Sequence, residues 1–303
     1  MLSILGYTSE DRVLIIQADD AGQSPEANEA AFELLESGAE VTIATRGATP
    51  DPFGDRVVRV RADRKDCESL RTAFGDQVWD AVYDNICYTP QEALMACDLF
   101  AGKAKKYIFT STLSVYDCAC DAHPESDFDP YSYPFETDPE AEADYGEGKR
   151  QAEAVFFQRA GFPVHAVRFP IVLGEDDYTR RLHFHVDRIR QGEPIGIPNR
   201  EAKMSFISSD EAASFLCWLK DQKGAGPINA CSNGELSLDR ILAIVEETVG
   251  RKAIVEPPAE GNRSPFGVPD HWFMDNRRAR EAGFKFPEVT DWFIPLVRKL
   301  ARN

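Results

Sequence analysis

The feature that most restricts the fold of this sequence is an alternation of short apolar runs with amphipathic segments over its first 110 residues. The apolar runs have the length of buried β-strands, and between them apolar residues recur at helical spacing. Strands that alternate with helices form a parallel sheet covered by helices on both faces. The sequence predicts strands over 13–17, 40–45, 57–61, 78–83 and 106–110, and helices over 25–38, 67–74 and 90–101.

The rest of the chain continues this pattern less regularly. We expect a doubly wound parallel sheet of the α/β class over residues 1–170, and a smaller C-terminal α/β domain over residues 171–303 with some of the chain crossing back. The predicted later elements are strands over 164–169 and 228–231, and helices over 182–192, 212–219 and 238–250.

Composition and charge exclude several classes of partner. The net charge of the 303 residues is −17, and such a field repels nucleic acids and anionic lipids. No run of eighteen apolar residues exists, and the N-terminus lacks the pattern of a secretory signal, so we expect a cytoplasmic protein without a membrane span. The seven cysteines have no metal-type spacing, which favours reduced thiols.

A candidate catalytic stretch runs from Tyr107 to Lys149. Its first part is an apolar run that ends in hydroxyl side chains, among them Thr112. Its second part opens a predicted helix on which Tyr145 and Lys149, four residues apart, share one face. A nearby cation stabilises a phenolate, and a hydroxyl across the cleft can hold a substrate oxygen, so these groups suit proton transfer.

Together these residues resemble the extended short-chain dehydrogenase/reductase family of NAD-dependent epimerases and dehydratases, over about residues 40–303. By position, Thr112 matches the family's catalytic Ser/Thr and Tyr145 its acid/base residue. Lys149 matches the residue that lowers the tyrosine pKa and holds the cofactor ribose. The resemblance implies a Rossmann-like fold, NADP or NAD as cofactor and a small-molecule substrate such as a nucleotide sugar. It is compatible with a homodimer.

Four further positions are expected near the cofactor. Arg46 follows the second strand, where an arginine commonly meets an adenosine 2′-phosphate, although a solvated turn arginine is an equal alternative. Asp63 matches the family position near the adenine, and Asn85 lies where the chain passes the ribose. Gly22 is the one glycine left in the turn after the first strand.

That first turn departs from the family, which has three glycines there to let backbone N–H groups approach the pyrophosphate. Here Asp19 and Asp20 stand in the turn. A carboxylate about 5 Å from a phosphate costs about 3 kcal/mol at an effective dielectric constant near 20. The sequence therefore predicts that cofactor binding is weakened or lost.

Residues 6–38 also resemble the first βα unit of YdjC-type carbohydrate deacetylases, in which the aspartate pair supplies a base and a metal ligand. We interpret the chain as a chimera of two α/β families, with a diverged single-family protein as the alternative. No metal site is predicted, because two carboxylates alone make a poor site and His183 and His185 would point apart on a helix.

Three functions remain open from the sequence. The first is an NAD(P)-dependent enzyme of the epimerase/dehydratase type, and the second is a non-catalytic Rossmann-like protein. The third is a metal-dependent deacetylase that uses Asp19 and Asp20. The segment 121–144, with nine carboxylates and four prolines, is either a solvated acidic loop or a lid over the substrate.

Overall fold

The chain was studied as a computed structural model. None of the helices in its described part has the length and apolarity that a membrane-spanning segment needs. The structure describes residues 11–16, 25–36, 38–47, 52–138 and 143–302, without the side chains of 25–30.

The N-terminal elements alternate strand and helix as the sequence predicts. In chain order they are β1 (Arg12–Ile16), α1 (Pro25–Glu36), β2 (Glu40–Thr45), β3 (Val58–Arg61), α2 (Cys67–Phe74), β4 (Ala81–Asp84), α3 (Pro90–Phe100), β5 (Tyr107–Thr112), α4 (Tyr145–Arg159) and β6 (Val164–Phe169).

The remaining elements are shorter on average. They are β7 (Ile171–Leu173), α5 (Arg181–Gln191), β8 (Pro194–Gly196), β9 (Lys203–Met204), β10 (Phe206–Ser208), α6 (Ser209–Leu219), β11 (Gly226–Asn229), β12 (Leu236–Ser237), α7 (Leu238–Val249), β13 (Ile254–Glu256), α8 (Arg277–Glu281) and α9 (Val289–Leu300).

Seven of these strands form one sheet in the order β11-β6-β5-β4-β1-β2-β3, and every neighbouring pair is parallel. The strand order reverses between β1 and β4. In sheets of this kind a crevice opens beyond the carboxyl ends of the strands at the reversal, and ligands bind there. The predicted doubly wound α/β fold is confirmed.

Each central strand is apolar on both sides because helices cover both faces of the sheet. In β1, Val13 and Ile15 pack in one apolar cluster with α1 and α6. Leu14 and Ile16 face the opposite cluster, which includes side chains of α2, α3 and α4. The sheet is therefore the middle layer of three.

Two helices on one face begin at side-chain caps. Asp66 accepts hydrogen bonds from the N–H groups of Glu68 and Ser69, which starts α2 at the predicted residue. Thr89 and Glu92 form a reciprocal capping box at the start of α3, with Pro90 as its first residue. These caps satisfy N–H groups that a helix leaves unpaired.

The C-terminal elements contribute to two cores. Strand β11 and helix α6 belong to the large sheet and its covering layer. Side chains of α5, α7 and α9 form a separate apolar cluster with the short strands. The chain thus returns to the first core after residue 170, while the division into two domains at that residue stays a prediction.

The structure differs from the sequence at two strand boundaries. Strand β4 begins at Ala81 instead of residue 78, since Trp79 forms only an isolated bridge to Ala104. Strand β5 runs on to Thr112. The hydroxyl residues at its end lie in the sheet and pair with β6 up to Phe169.

Candidate active site

A cavity of about 440 Å³ lies at the carboxyl ends of β4 and β5, beside the start of α4 and of α5. It brings together four of the predicted site residues, which are Asn85, Thr112, Tyr145 and Lys149. The strand-order reversal therefore coincides with the residues that the sequence proposes for catalysis.

Two glycines of the sequence Tyr-Gly-Glu-Gly-Lys allow α4 to lie this close to the cavity. A Cβ atom on Gly148 would stand 2.5 Å from the carbonyl oxygen of Tyr88. A Cβ atom on Gly146 would stand 2.7 Å from the carbonyl oxygen of Ser114. Both distances are shorter than non-bonded atoms tolerate, so larger residues would push Tyr145 and Lys149 away from β5.

Thr112 and Tyr145 both line the cavity. Thr112 is the last residue of β5, and its hydroxyl oxygen accepts a hydrogen bond from the N–H of Ser114 at 3.1 Å. The Thr112 side chain is close enough to the Tyr145 phenol to lower its pKa. Tyr145 is 54% exposed, so a ligand in the cavity can reach it.

Lys149 lies beneath these two groups with only 1% of its surface exposed. Its ammonium donates a hydrogen bond to the carbonyl oxygen of Thr110 at 2.7 Å. It also stands over the rings of Tyr88 and Phe109, 4.6 Å and 4.8 Å from their centroids. Burial lowers the pKa of Lys149 to about 8, because the apolar surroundings disfavour its charged form.

The electrostatics of Tyr145 differ from the sequence expectation. Although more than half of the side chain is exposed, the cavity walls partly desolvate its phenol and raise its pKa, and the Thr112 hydroxyl and the Arg181 guanidinium offset only part of that rise. The lowering expected from Lys149 is not the dominant effect at Tyr145 and stays a prediction. The Lys149 ammonium lies 6.0 Å from the Tyr145 ring centroid and is directed toward Thr110.

The residues expected to hold a cofactor fall into three groups. Asn85 lies in the cavity and accepts a hydrogen bond from the Thr110 hydroxyl at 2.8 Å. Arg46 is exposed after β2, and the Asp63 carboxylate accepts the N–H of Lys65 in a local turn, so neither lines the cavity.

Gly22, with the aspartates Asp19 and Asp20, lies outside the described residues. The described residues fit the ribose end of a dinucleotide. An ammonium carries three N–H donors, and Lys149 uses one of them for Thr110. The others and the Asn85 amide are polar groups suited to a pair of ribose hydroxyls.

A buried ion pair supports β5 from behind. Arg168 of β6 and Glu153 of α4 are both fully buried, with 2.6 Å between Nη2 and Oε2. Glu153 also accepts the Ser111 hydroxyl, one residue before Thr112. The sequence signal for this pair is a charged residue inside the apolar run Val-His-Ala-Val-Arg-Phe.

The segment 121–144 is held by the same arginine. Arg168 donates to the carbonyl oxygens of Glu125 and Phe128, and Phe128 is buried. Within its described residues, 121–138, 143 and 144, none lines the cavity. The structure thus supports neither a wholly solvated loop nor a lid over this cavity.

Among the residues that line the cavity, three polar ones were not predicted from the sequence. Tyr88 follows β4, and Tyr178 and Arg181 lie at the start of α5. The available signal was positional, since Tyr88 comes shortly after Asn85 at a strand end. For Tyr178 and Arg181 the signal was a polar run, Asp-Asp-Tyr-Thr-Arg-Arg, just before a predicted helix.

The histidines of α5 do not form a shared site. His185 is buried, donates to the Arg181 carbonyl oxygen at 2.9 Å and accepts the Ser264 hydroxyl at 2.8 Å. Within the described ranges, no group of three or more His, Cys, Asp or Glu side chains is placed to hold a metal ion.

Comparisons with known proteins give a weak match by sequence and a strong match by fold. No protein-family model matches the chain. The chloroplast stem-loop binding protein of 41 kDa b from Arabidopsis thaliana is 24% identical over 210 residues, which are 64% of this chain and 52% of that protein. The match thus spans about half the length of this curated relative.

Solved structures match nearly the whole chain. The UDP-glucose 4-epimerase of Thermotoga maritima has a TM-score of 0.72 at 15% identity and covers 96% of this chain and 98% of its own. The Thermus thermophilus UDP-glucose 4-epimerase, solved with NAD, has a TM-score of 0.69 at 16% identity, with 96% and 99% covered. The Bordetella bronchiseptica enzyme WbmG, solved with NAD and UDP, has a TM-score of 0.73 at 16% identity, with 99% and 95% covered.

These similarities establish the fold, which the chain shares with solved UDP-glucose 4-epimerases. Because 96% or more of the chain is covered in each case, the shared fold extends into the described part of residues 6–38, which forms β1 and α1. The resemblance of that segment to a deacetylase unit receives no support from these comparisons, so one fold accounts for the first βα unit as well.

Proposed function

We propose that this chain is an NAD(P)-dependent oxidoreductase of the epimerase/dehydratase type that acts on a nucleotide sugar. The proposal rests chiefly on one observation, that Thr112, Tyr145 and Lys149 meet in one cavity at the strand-order reversal. The relatives of the same fold that were solved with NAD, or with NAD and UDP, support the choice of cofactor and substrate class.

The proposed roles follow from the geometry. The Thr112 hydroxyl holds the substrate oxygen that changes between hydroxyl and carbonyl. Tyr145, which lines the same cavity as Thr112 and is exposed to it, moves the proton of that oxygen. Lys149 and Asn85 hold the ribose of the dinucleotide. A bound nicotinamide dinucleotide supplies the hydride acceptor and donor for this chemistry.

Lys149 also sets the charge beneath the tyrosine. Its pKa of about 8 leaves most of the ammonium protonated at pH 7. The positive charge favours the phenolate when Tyr145 gives up its proton, and the bond to Thr110 keeps the ammonium in place. An ordinary phenol is protonated at pH 7, and desolvation raises the pKa of Tyr145 further, so in this proposal Tyr145 first acts as an acid toward a carbonyl oxygen.

The direct test is turnover of UDP-glucose with added NAD, followed by NMR for the epimeric sugar. Tyr145→Phe keeps the ring and removes the proton, so kcat should fall about 10²- to 10⁴-fold. Tyr131→Phe is the matched control, because Tyr131 is 56% exposed and lies outside the cavity. If both variants turn over like the wild type, the proposed role of Tyr145 is wrong.

The acidic first turn favours a second candidate, a non-catalytic protein of the same fold. We propose that Asp19 and Asp20 weaken dinucleotide binding by repelling its phosphates. NADPH fluorescence titration separates the two functions, since a non-catalytic protein should show no saturable binding. Replacing both aspartates by glycine should raise the affinity, and an unchanged affinity would exclude this account of the turn.

Stem-loop binding is not carried over from the relative of that name. The net charge of −17 opposes contact with a phosphate backbone. All seven cysteines are free thiols, which supports our proposal of a reducing compartment such as the cytoplasm. A homodimer also remains a proposal, and light scattering of the purified protein would test it.

A further inference from the structure

Arg181 is a half-buried arginine that lines the catalytic cavity, and the fold makes no use of its charge. Its backbone N–H and carbonyl are hydrogen-bonded, but its guanidinium forms no hydrogen bond or ion pair with any described residue. An arginine carries five N–H donors in a planar fork. Removing such a group partly from water without a partner is costly unless a ligand supplies one.

The other arginines near α5 differ in this respect. Arg180 pairs with Asp187 at 3.1 Å. Arg188 donates to two carbonyl oxygens, those of Pro194 and Gly261, and Arg190 donates to those of Leu300 and Ala301. Each of these three is satisfied by the protein itself. Arg181 is the exception, and it is also the one of the four that faces the cavity.

The local backbone holds Arg181 in this position. Asp177 accepts hydrogen bonds from the N–H groups of Thr179 at 2.9 Å and of Arg181 at 3.4 Å. Arg180, between them, has a φ of 52°, and it is the sole non-glycine residue with a positive φ in the described ranges. A left-handed conformation at such a residue costs about 1 kcal/mol. His185 then fixes the first helical turn through the Arg181 carbonyl.

The surrounding charges leave Arg181 as the cation available to an anionic group of the substrate. Lys149 also lines the cavity, but it is almost fully buried, is bonded to Thr110 and in the proposed function faces the cofactor ribose. The Asp177 carboxylate, on the same wall, is occupied by the turn. Since the chain as a whole carries −17, an anionic ligand needs a local cation within the cleft.

We infer that Arg181 binds an anionic group of the substrate, a carboxylate or a phosphate, next to Thr112 and Tyr145. This inference rests on the proposed function and names the chemistry of the substrate. A guanidinium matches two oxygens of either anion at once, which adds orientation to binding. In a nucleotide sugar the anion is either the diphosphate or a carboxylate carried by the sugar.

The test measures the affinities of three probes by calorimetry in the presence of NAD: UDP, UDP-glucose and UDP-glucuronic acid. Arg181→Gln should weaken the binding of the recognised probes about 10- to 100-fold, the effect of losing a charge-assisted pair. Arg181→Lys should restore part of it, since the charge returns without the fork. Arg190→Gln, on the same helix and away from the cavity, is the matched control.

The pattern across probes identifies the anion. Loss for all three probes assigns Arg181 to the diphosphate. Loss for UDP-glucuronic acid alone assigns it to a sugar carboxylate. Equal affinities in Arg181→Gln and wild type, losses equal to those of Arg190→Gln, or no binding of any probe to the wild type would each overturn the inference. Binding without turnover would contradict the proposed function and leave Arg181 in its role.

Discussion

Two buried arginine–carboxylate pairs lie near the edge of the sheet that carries the cavity, and they are built differently. The Arg168–Glu153 pair joins β6 to α4, and all three guanidinium nitrogens of Arg168 donate to an acceptor. The Arg64–Asp84 pair, 2.8 Å between Nη2 and Oδ2, joins the end of β3 to the end of β4. Its Nη1 atom has no hydrogen-bond partner within the described part of the chain.

The difference shows which half of the cavity the protein fixes more firmly. Arg168 and Glu153 connect β5, the helix that carries Tyr145 and the segment after Tyr116. In this network each guanidinium nitrogen has a hydrogen-bond acceptor. Burying an ion pair is favourable only when its remaining donors and acceptors are also satisfied. The pair beside Asn85 fails that condition, so its stabilising effect should be smaller.

The largest expected effect comes from breaking the satisfied pair. Glu153→Gln keeps the shape of the side chain but leaves the Arg168 charge buried without a counterion. The free energy of unfolding should fall by about 3–5 kcal/mol. Urea denaturation measures it, with Glu147→Gln on the same helix as control. Glu147 pairs with Arg150 at a partly exposed site, so that change should cost about 1 kcal/mol or less. An equal fall in the free energy of unfolding for the two variants would show that the buried pair is no more important than the exposed one.

Much of this architecture could be predicted from sequence because it depends on local patterns. The start of α2 follows from Asp66 and that of α4 from the helical spacing after Tyr145. The site residues Thr112, Tyr145 and Lys149 were found because a strand end and a helix start both carry recognisable chemistry.

The remainder depends on contacts between distant parts of the chain. Arg168 and Glu153 are fifteen residues apart, and only the pairing of β5 with β6 shows that they share a buried site. Arg181 reaches the cavity because Arg180 has a left-handed backbone conformation. In a sequence such a conformation is usually marked by a glycine, and Arg180 gives no such sign. The direction of the Tyr145 pKa could not be predicted from sequence, because the tertiary structure removes the phenol from water and this outweighs the groups that lower the pKa.

A second prediction replaces both members of each pair by matched uncharged residues. Arg168→Met with Glu153→Gln should lower the free energy of unfolding by about 2–3 kcal/mol, because the Tyr116 hydroxyl and two carbonyl oxygens lose their donor. Arg64→Met with Asp84→Asn should change it by less than about 1 kcal/mol, since one carbonyl loses a donor and an unpartnered group is removed. The new amide can still accept the N–H of Ile86 and donate to the Tyr107 hydroxyl, the two other groups that bond to Asp84. The reverse order of the two values would contradict the comparison.

Glu211 extends the comparison to a buried carboxylate that forms no ion pair with any described residue. The Ser232 hydroxyl donates to its Oε2 atom at 2.5 Å, while Oε1 has no partner within the described ranges. Burial raises the pKa of Glu211 from 4.5 to about 7. Between these values the folded chain holds a proton that the unfolded chain has released. This group therefore favours the folded state below about pH 4.5, and that stability is lost as the pH rises through about 7.

Glu211→Gln should remove this contribution, which is the smallest of the three effects. At pH 8 the variant should be about 1–2 kcal/mol more stable than the wild type. The full pKa shift represents roughly 3 kcal/mol. The gain is smaller than this because an amide binds the Ser232 hydroxyl less strongly than a carboxylate does. At pH 4.5 the advantage should vanish. Urea denaturation at intervals between these values measures the difference, with the exposed Glu247→Gln as control. An advantage that is independent of pH would show that Glu211 is not held protonated by its burial.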